Sequence, residues 1–224
     1  MSTRSGKLKL VLFDLDGTLA DTAPDLVAAV HDAFLESGQP APDPDLARAQ
    51  ISHGGRAMIS AALPAPLTEA HFESLLERFL SLYRQQIAER TSLFAGMAPV
   101  LEHLERAGIR WGIVTNKRAN LTEPLVDALG LRERIACVIS GDSAARAKPS
   151  PDPLLLALEQ TGCSSAESLY VGDARNDVVA ARAAGMAVVV ANYGYIADGE
   201  DPTGWRADGY INTPVDLLDW LDNR

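Results

Sequence analysis

Four carboxylates, a hydroxyl and an ammonium group sit where short apolar runs of this 224-residue chain break off. Asp14 and Asp16 stand two residues apart in Asp14-Leu15-Asp16-Gly17-Thr18, directly after the run Lys9 to Phe13. Thr115 closes the run from Arg110 and leads into Asn116-Lys117, while Asp173 and Asp177 follow Leu169 to Gly172. Lys148 lies in the loop after a weaker run, Cys137 to Ser140. Brought together, such groups repel: two carboxylates ~4 Å apart oppose each other by about 4 kcal/mol at an effective dielectric near 20. Three or four of them without a counter-charge would strain a domain whose whole stability is on the order of 5–15 kcal/mol. A divalent cation reverses the sign of that term, and a lysine beside it makes an anion site. Singly, each residue has an ordinary explanation: turn residues for Asp14 and Asp16, a helix cap and first-turn acid for Asp173 and Asp177, surface for Lys148. Only their joint occurrence at strand ends points to chemistry.

The elements that would position them read as a doubly wound parallel sheet. The apolar runs above, with Ala187 to Ala191, have the unbroken hydrophobicity of strands buried on both faces. Helical patterns alternate with them: Met97 to Arg106, Leu121 to Leu129, Pro153 to Gln160 and Asn176 to Ala184, each followed by a glycine placed as a C-cap. That alternation gives the α/β class, and ligands of such sheets bind beyond the carboxyl ends of the strands. Residues 21–91 break the rhythm with helices alone, expected over Asp25 to Glu36, Asp45 to Gln50, Arg56 to Leu63 and Glu69 to Glu89. The expected organisation is therefore a core domain of residues 1–20 and 92–224 with a helical cap domain, 21–91, inserted after the first strand. Its two crossings, near Asp21 to Pro24 and Thr91 to Gly96, would serve as a hinge. Asn192 to Pro214 reads as a long loop with a short strand at Gly209 to Ile211, and Val215 to Leu221 as a closing helix.

Asp14-Leu15-Asp16-Gly17-Thr18-Leu19 resembles the signature of the haloacid dehalogenase superfamily, and Thr115, Lys148 and Gly172-Asp173 with Asp177 resemble its other three motifs in order. The resemblance implies a phosphatase in which Asp14 is the nucleophile and forms an aspartyl-phosphate. Asp16 would protonate the leaving alkoxide and then take a proton from water. Thr115 and Lys148 would hold the phosphoryl oxygens, with Asn116 as a further substrate-binding residue. Asp14, Asp173 and the main-chain carbonyl of Asp16, supported by Asp177, would bind Mg²⁺.

The motifs Val114-Thr115-Asn116-Lys117, Gly172-Asp173-Ala174-Arg175-Asn176-Asp177 and Tyr193-Gly194-Tyr195 look like the phosphoglycolate phosphatase group. Ile51 to Met58, Trp111-Gly112 and Tyr193 to Ile196 also resemble relatives acting on N-acetylmuramic acid 6-phosphate. Both substrates carry a carboxylate besides the phosphate. Arg56, in the cap segment Ser52-His53-Gly54-Gly55-Arg56, is the candidate clamp for it; the alternative is an exposed arginine at a helix start. Asn116 and Lys117 follow Thr115, with two readings open: orienting the loop or acting directly. Sibling chemistries separate on particular residues. A dehalogenase needs neither Asp16 nor the metal carboxylates. A Schiff-base phosphonatase needs a cap lysine, and residues 21–91 contain none. A phosphosugar mutase shares the core machinery, and a non-catalytic binding protein on this scaffold should have lost one of its carboxylates.

Bulk properties fit this reading. A net charge of −10 repels nucleic acid and anionic membranes, so no partner of either kind is expected, and a phosphate site must be built locally. The expected partner is a small phosphorylated metabolite, with the chain a monomer or weak homodimer. Cys137 and Cys163 make no zinc or disulfide pattern, and no apolar stretch is long enough for a signal core or a span, which points to the cytoplasm. His31, His71 and His103 lack metal-ligand spacing, and Trp111, Trp205 and Trp220 are expected to pack.

Overall fold

In the computed structural model, which describes residues 7–197 and 199–223, the first strand is the middle of the molecule. Strand β1 (Leu10–Phe13) is apolar at every position and wholly buried. The two-residue strand β2 (Ala20–Asp21) then leads out to helices α1 (Ala23–Glu36), α2 (Pro44–Arg48), α3 (Gly55–Ala62) and α4 (Glu69–Gln85). The chain returns through β3 (Ser92–Leu93), which pairs antiparallel with β2, so both crossings are tied into one short ribbon. Five β/α steps follow: α5 (Met97–Arg106), β4 (Arg110–Val114), α6 (Ala119–Ala128), β5 (Val138–Ile139), α7 (Asp152–Thr161), β6 (Ser168–Gly172), α8 (Arg175–Ala183), β7 (Ala187–Ala191), β8 (Gly209–Ile211) and α9 (Asp216–Asp222). The terminal residues of the expected core, 1–6 and 224, and residue 198 of its long loop lie outside the described residues.

Six strands form one parallel sheet in the order β5-β4-β1-β6-β7-β8. Alternate side chains feed two cores: Val11, Phe13 and Ile113 face one layer, and Leu10, Leu12 and Tyr170 the other. Trp111 is packed as expected, its indole N–H donating to Glu105 at 2.9 Å. Register does the essential positioning. Phe13 lies opposite Ile113 on one side and Val171 on the other. The residues just past those positions, Asp14, Thr115 and Asp173, therefore emerge side by side on one rim, from strands spaced about 4.8 Å apart.

Helix starts and stops follow local chemistry. Asp152-Pro153 opens α7, where proline needs no amide partner, and Gly162 closes it in the left-handed region at φ +64°. The hydroxyl of Thr68 caps α4. That helix stops at Gln85, four residues short of the expected Glu89, because its exit is pinned elsewhere. The buried Asp25 carboxylate of α1 accepts the Arg90 and Thr91 amides and the Thr91 hydroxyl, at 2.7–3.2 Å. Those bonds draw residues 88–91 out of the helix and toward β3. Helices α1–α4 bury a cluster of their own around Phe34, Ile59, Phe79 and Tyr83. Among the described residues, no helix is long and apolar enough to cross a membrane.

Candidate active site

The site is a closed knot of charge over the carboxyl ends of β4, β1 and β6. Gly17 makes it possible. At φ +82° it turns the chain back after Asp16, and a Cβ there would lie 2.2 Å from an Asp173 carboxylate oxygen. Gly194 approaches from the loop after β7, where a Cβ would meet Cβ of Asp173 at 2.3 Å. Two bare backbone segments thus enclose one carboxylate, which a larger residue at either place would displace.

Asp14, Asp173 and Asp177 are all buried and offer carboxylate oxygens within 4.8 Å of one another. Lys148, equally buried, reaches Asp177 at 2.7 Å and Asp14 at 3.0 Å, and donates to the Val114 carbonyl at 3.0 Å and the Tyr170 hydroxyl at 2.7 Å. One ammonium against three carboxylates leaves negative charge uncompensated, and the proton affinities record it. Burial pushes the Asp14 carboxyl up to about 6, with Lys148 opposing and Asp177 adding to the rise. Burial, with Asp14 and Asp177 next, pushes Asp173 up to about 8. Burial works against the Lys148 charge, but Asp14 and Asp177 outweigh it and hold that pKa above its usual value. A hard, oxygen-binding divalent cation fits this donor set: it would replace the protons that buried acids otherwise retain. Asp14 and Asp173 would hold it, with Asp177 behind them.

Asp177 also does the ordinary work expected of a first-turn acid. Its Oδ2 accepts the Ala174 amide at 3.0 Å while its Oδ1 takes Lys148. Thr115 is buried, its Oγ1 accepting the Lys117 amide at 3.2 Å. Asp16 lies at the boundary with the helical insert. Its Oδ1 accepts both the Thr22 hydroxyl and the Lys117 ammonium at 2.6 Å, and among the described residues no hydrogen bond is made to Oδ2.

Two expected substrate contacts take other roles. Asn116 turns its carboxamide to the Lys148 main chain, donating to its carbonyl and accepting its amide, both at 2.9 Å. It positions the lysine loop. Arg56 is exposed on the outside of the insert, paired with Glu69 and Glu73 and lying over the Phe72 ring. Two acids on α4 lie within its reach and capture the guanidinium, so it does not enter the site.

In the same segment Ser52, four residues before Arg56, donates to Asp173 at 3.0 Å and bridges insert and rim directly. The Thr18 hydroxyl donates to the same carboxylate at 3.1 Å, and the Tyr195 amide donates to it at 2.8 Å. The Tyr195 hydroxyl binds Asp21 at 2.6 Å and the Ala23 amide at 2.9 Å, where the chain leaves the core. None of these has a signal in its own residue type. Lys117 had one: it is one of only four lysines in the chain and follows a strand end. A groove of about 520 Å³ between α1 and α2 includes none of the strand-end residues.

Residues 11–191 match the model of the haloacid dehalogenase-like hydrolases. The chain belongs to that family. Its relatives in the haloacid dehalogenase-like group include an N-acetylmuramic acid 6-phosphate phosphatase of Pseudomonas putida, 40% identical over 97% of each chain. A phosphoglycolate phosphatase of Xanthomonas campestris pv. campestris is 42% identical over 93% of this chain and 94% of that one. Among solved structures of the family, a predicted phosphoglycolate phosphatase from Haemophilus somnus superposes with a TM-score of 0.87 at 28% identity, over 96% of this chain and 99% of that one. The parallel sheet with flanking helices is thus the family's core.

Proposed function

We propose that this haloacid dehalogenase-like hydrolase is a Mg²⁺-dependent phosphatase of small phosphate monoesters, phosphoglycolate foremost. One observation carries the reading: Asp14, Asp173 and Asp177 meet within 4.8 Å, with Lys148 bonded to the first and last. Mg²⁺, when bound, supplies positive charge against the phosphoryl oxygens.

The chain's own residues divide the remaining work. Lys148 and the Thr115 hydroxyl hold the phosphoryl group in place, which is most of what phosphoryl transfer requires. A carboxylate oxygen of Asp14 forms a bond to phosphorus as the bond to the ester oxygen breaks. Asp16, through Oδ2, gives its proton to the departing alkoxide, so an alcohol leaves and Asp14 carries the phosphoryl group. Asp16 then removes a proton from water as its oxygen attacks phosphorus, releasing phosphate and restoring both carboxyl groups. Ser52, Tyr83 and Lys117 close over this space and exclude solvent water. Helices α1–α4 act as a cap domain, and the β2/β3 ribbon is its hinge.

A second substrate reading is N-acetylmuramic acid 6-phosphate, supported by the Pseudomonas putida relative, which matches 97% of each chain. The test is hydrolysis of p-nitrophenyl phosphate with Mg²⁺, followed by phosphoglycolate, N-acetylmuramic acid 6-phosphate and common sugar phosphates. Wild type is expected to turn over, and Asp14→Asn to lose about 10⁴-fold or more in kcat. Equal rates in the two proteins would end the nucleophile assignment. The two unpaired, buried thiols suit a reducing cytoplasm.

A further inference from the structure

Lys117 and Tyr83 form a second polar centre beside the first. The Lys117 side chain is only 6% exposed, and its ammonium bonds Asp16 at 2.6 Å. It also lies 4.8 Å from the centre of the Tyr83 ring, on α4. The Tyr83 hydroxyl is fully buried and has no hydrogen-bond partner in bonding geometry. An orphaned buried hydroxyl costs free energy unless something polar completes it. An ammonium has three donors, and Asp16 takes one. Two other cations serve elsewhere: Lys148 lies on the phosphoryl side between Asp14 and Asp177, and Arg56 faces outward. Arg48, half exposed, lies over the Tyr195 ring.

We propose that Lys117 and Tyr83 are the specificity pair of the site, binding a carboxylate on the leaving group two bonds from the ester oxygen. The inference deepens the phosphatase reading and rests on it, because it is Asp16 that marks where the ester oxygen sits. An anion touching Lys117 lies within two hydrogen-bond lengths of Asp16, roughly 5–6 Å. That spacing suits the phosphate ester of a short 2-hydroxy acid, whose carboxylate is adjacent to the ester carbon. It does not suit an acid held across a sugar ring from its phosphate. The pair thus assigns to Lys117 the task that sequence pattern gave to Arg56.

The experiment compares kcat/KM for phosphoglycolate and for its neutral analogue phosphoglycolamide, in the full chain with Mg²⁺. Wild type is expected to favour the acid by about 30-fold or more. Lys117→Met should lower that ratio about 10- to 100-fold, equivalent to roughly 1.4–2.7 kcal/mol, mainly through the KM for the acid. Tyr83→Phe, which removes only the hydroxyl, should lower it about 3- to 10-fold. If Lys117 is merely a counter-ion for Asp16, Lys117→Met slows both esters alike and the unchanged ratio overturns the proposal. A ratio that collapses in Arg48→Ala and survives in Lys117→Met overturns it too. Equal use of acid and amide by wild type sinks the specificity pair while leaving the phosphatase intact. Failure to hydrolyse any phosphate ester, p-nitrophenyl phosphate included, sinks both.

Discussion

The rim of the sheet and the helical insert above it contribute to the same site by different geometrical rules. On the rim, three parallel strands in fixed register deliver Asp14, Thr115 and Asp173 to adjacent places, and the pleat decides which way each points. In the insert, four helices pack through their own cluster, and which side chain meets the rim depends on the rotation and tilt of each helix. Residue type plus position is nearly sufficient in the first region. In the second it is not: Ser52, in the short turn before α3, reaches Asp173, while Arg56, on α3 itself, faces solvent.

The largest effect should come from disturbing the rim. Lys148→Met leaves Asp14 and Asp177 buried without their cation, and should cost the metal-free protein about 3–5 kcal/mol in chemical denaturation along with its activity. A loss no greater than that of an average surface substitution would mean that the buried pair contributes little to folding.

Metal and pH should act on the same group of acids. Asp14 and Asp173 have folded-state pKa values raised to about 6 and about 8, above the values near 4 expected when unfolded. A raised carboxyl contributes stability that is complete below the unfolded pKa and is lost as pH rises through the folded one. The metal-free protein should therefore lose thermal stability between pH 4 and pH 8, and Mg²⁺ should restore it, most strongly at the upper end. Melting curves with and without chelator would show this. A metal-free Tm that rises through that window would contradict it.

The insert should respond more gently. Ser52→Ala removes one bond from insert to rim and should cost roughly 0.5–1.5 kcal/mol, read as a several-fold rise in KM with kcat nearly kept. Arg56→Ala should be the mildest change, within about 0.5 kcal/mol in stability and without effect on kcat/KM. An Arg56→Ala variant weaker than Ser52→Ala against phosphoglycolate would reverse the contrast between the two residues.

What the sequence disclosed follows the same divide. Strand ends are readable because an apolar run that stops at Asp or Thr fixes both the element and its exit, so the meeting of Asp14, Thr115 and Asp173 on one rim is legible in the sequence, whereas Lys148 arrives from a loop nine residues beyond β5. The sheet was also legible, down to the short strand at Gly209–Ile211. The end of α4 was not, because what stops it is Asp25, more than sixty residues away in sequence. Nor was the role of Tyr83 accessible: on a helix with one apolar stripe it counts as another packing residue. Asn116 shows the limit within the core itself, since adjacency to Thr115 does not reveal that its amide is committed to Lys148.

Tyr195 gives the two regions a mechanical connection. Its amide grips Asp173, and its phenol, at the opposite end of the same residue, grips Asp21 and Ala23 as the polypeptide departs for the helices. Any swing of those helices pulls on a lever whose other arm rests on the acid centre. Were those helices to move apart from the rim to admit a substrate, the motion would loosen a donor on Asp173, and their return would tighten it again.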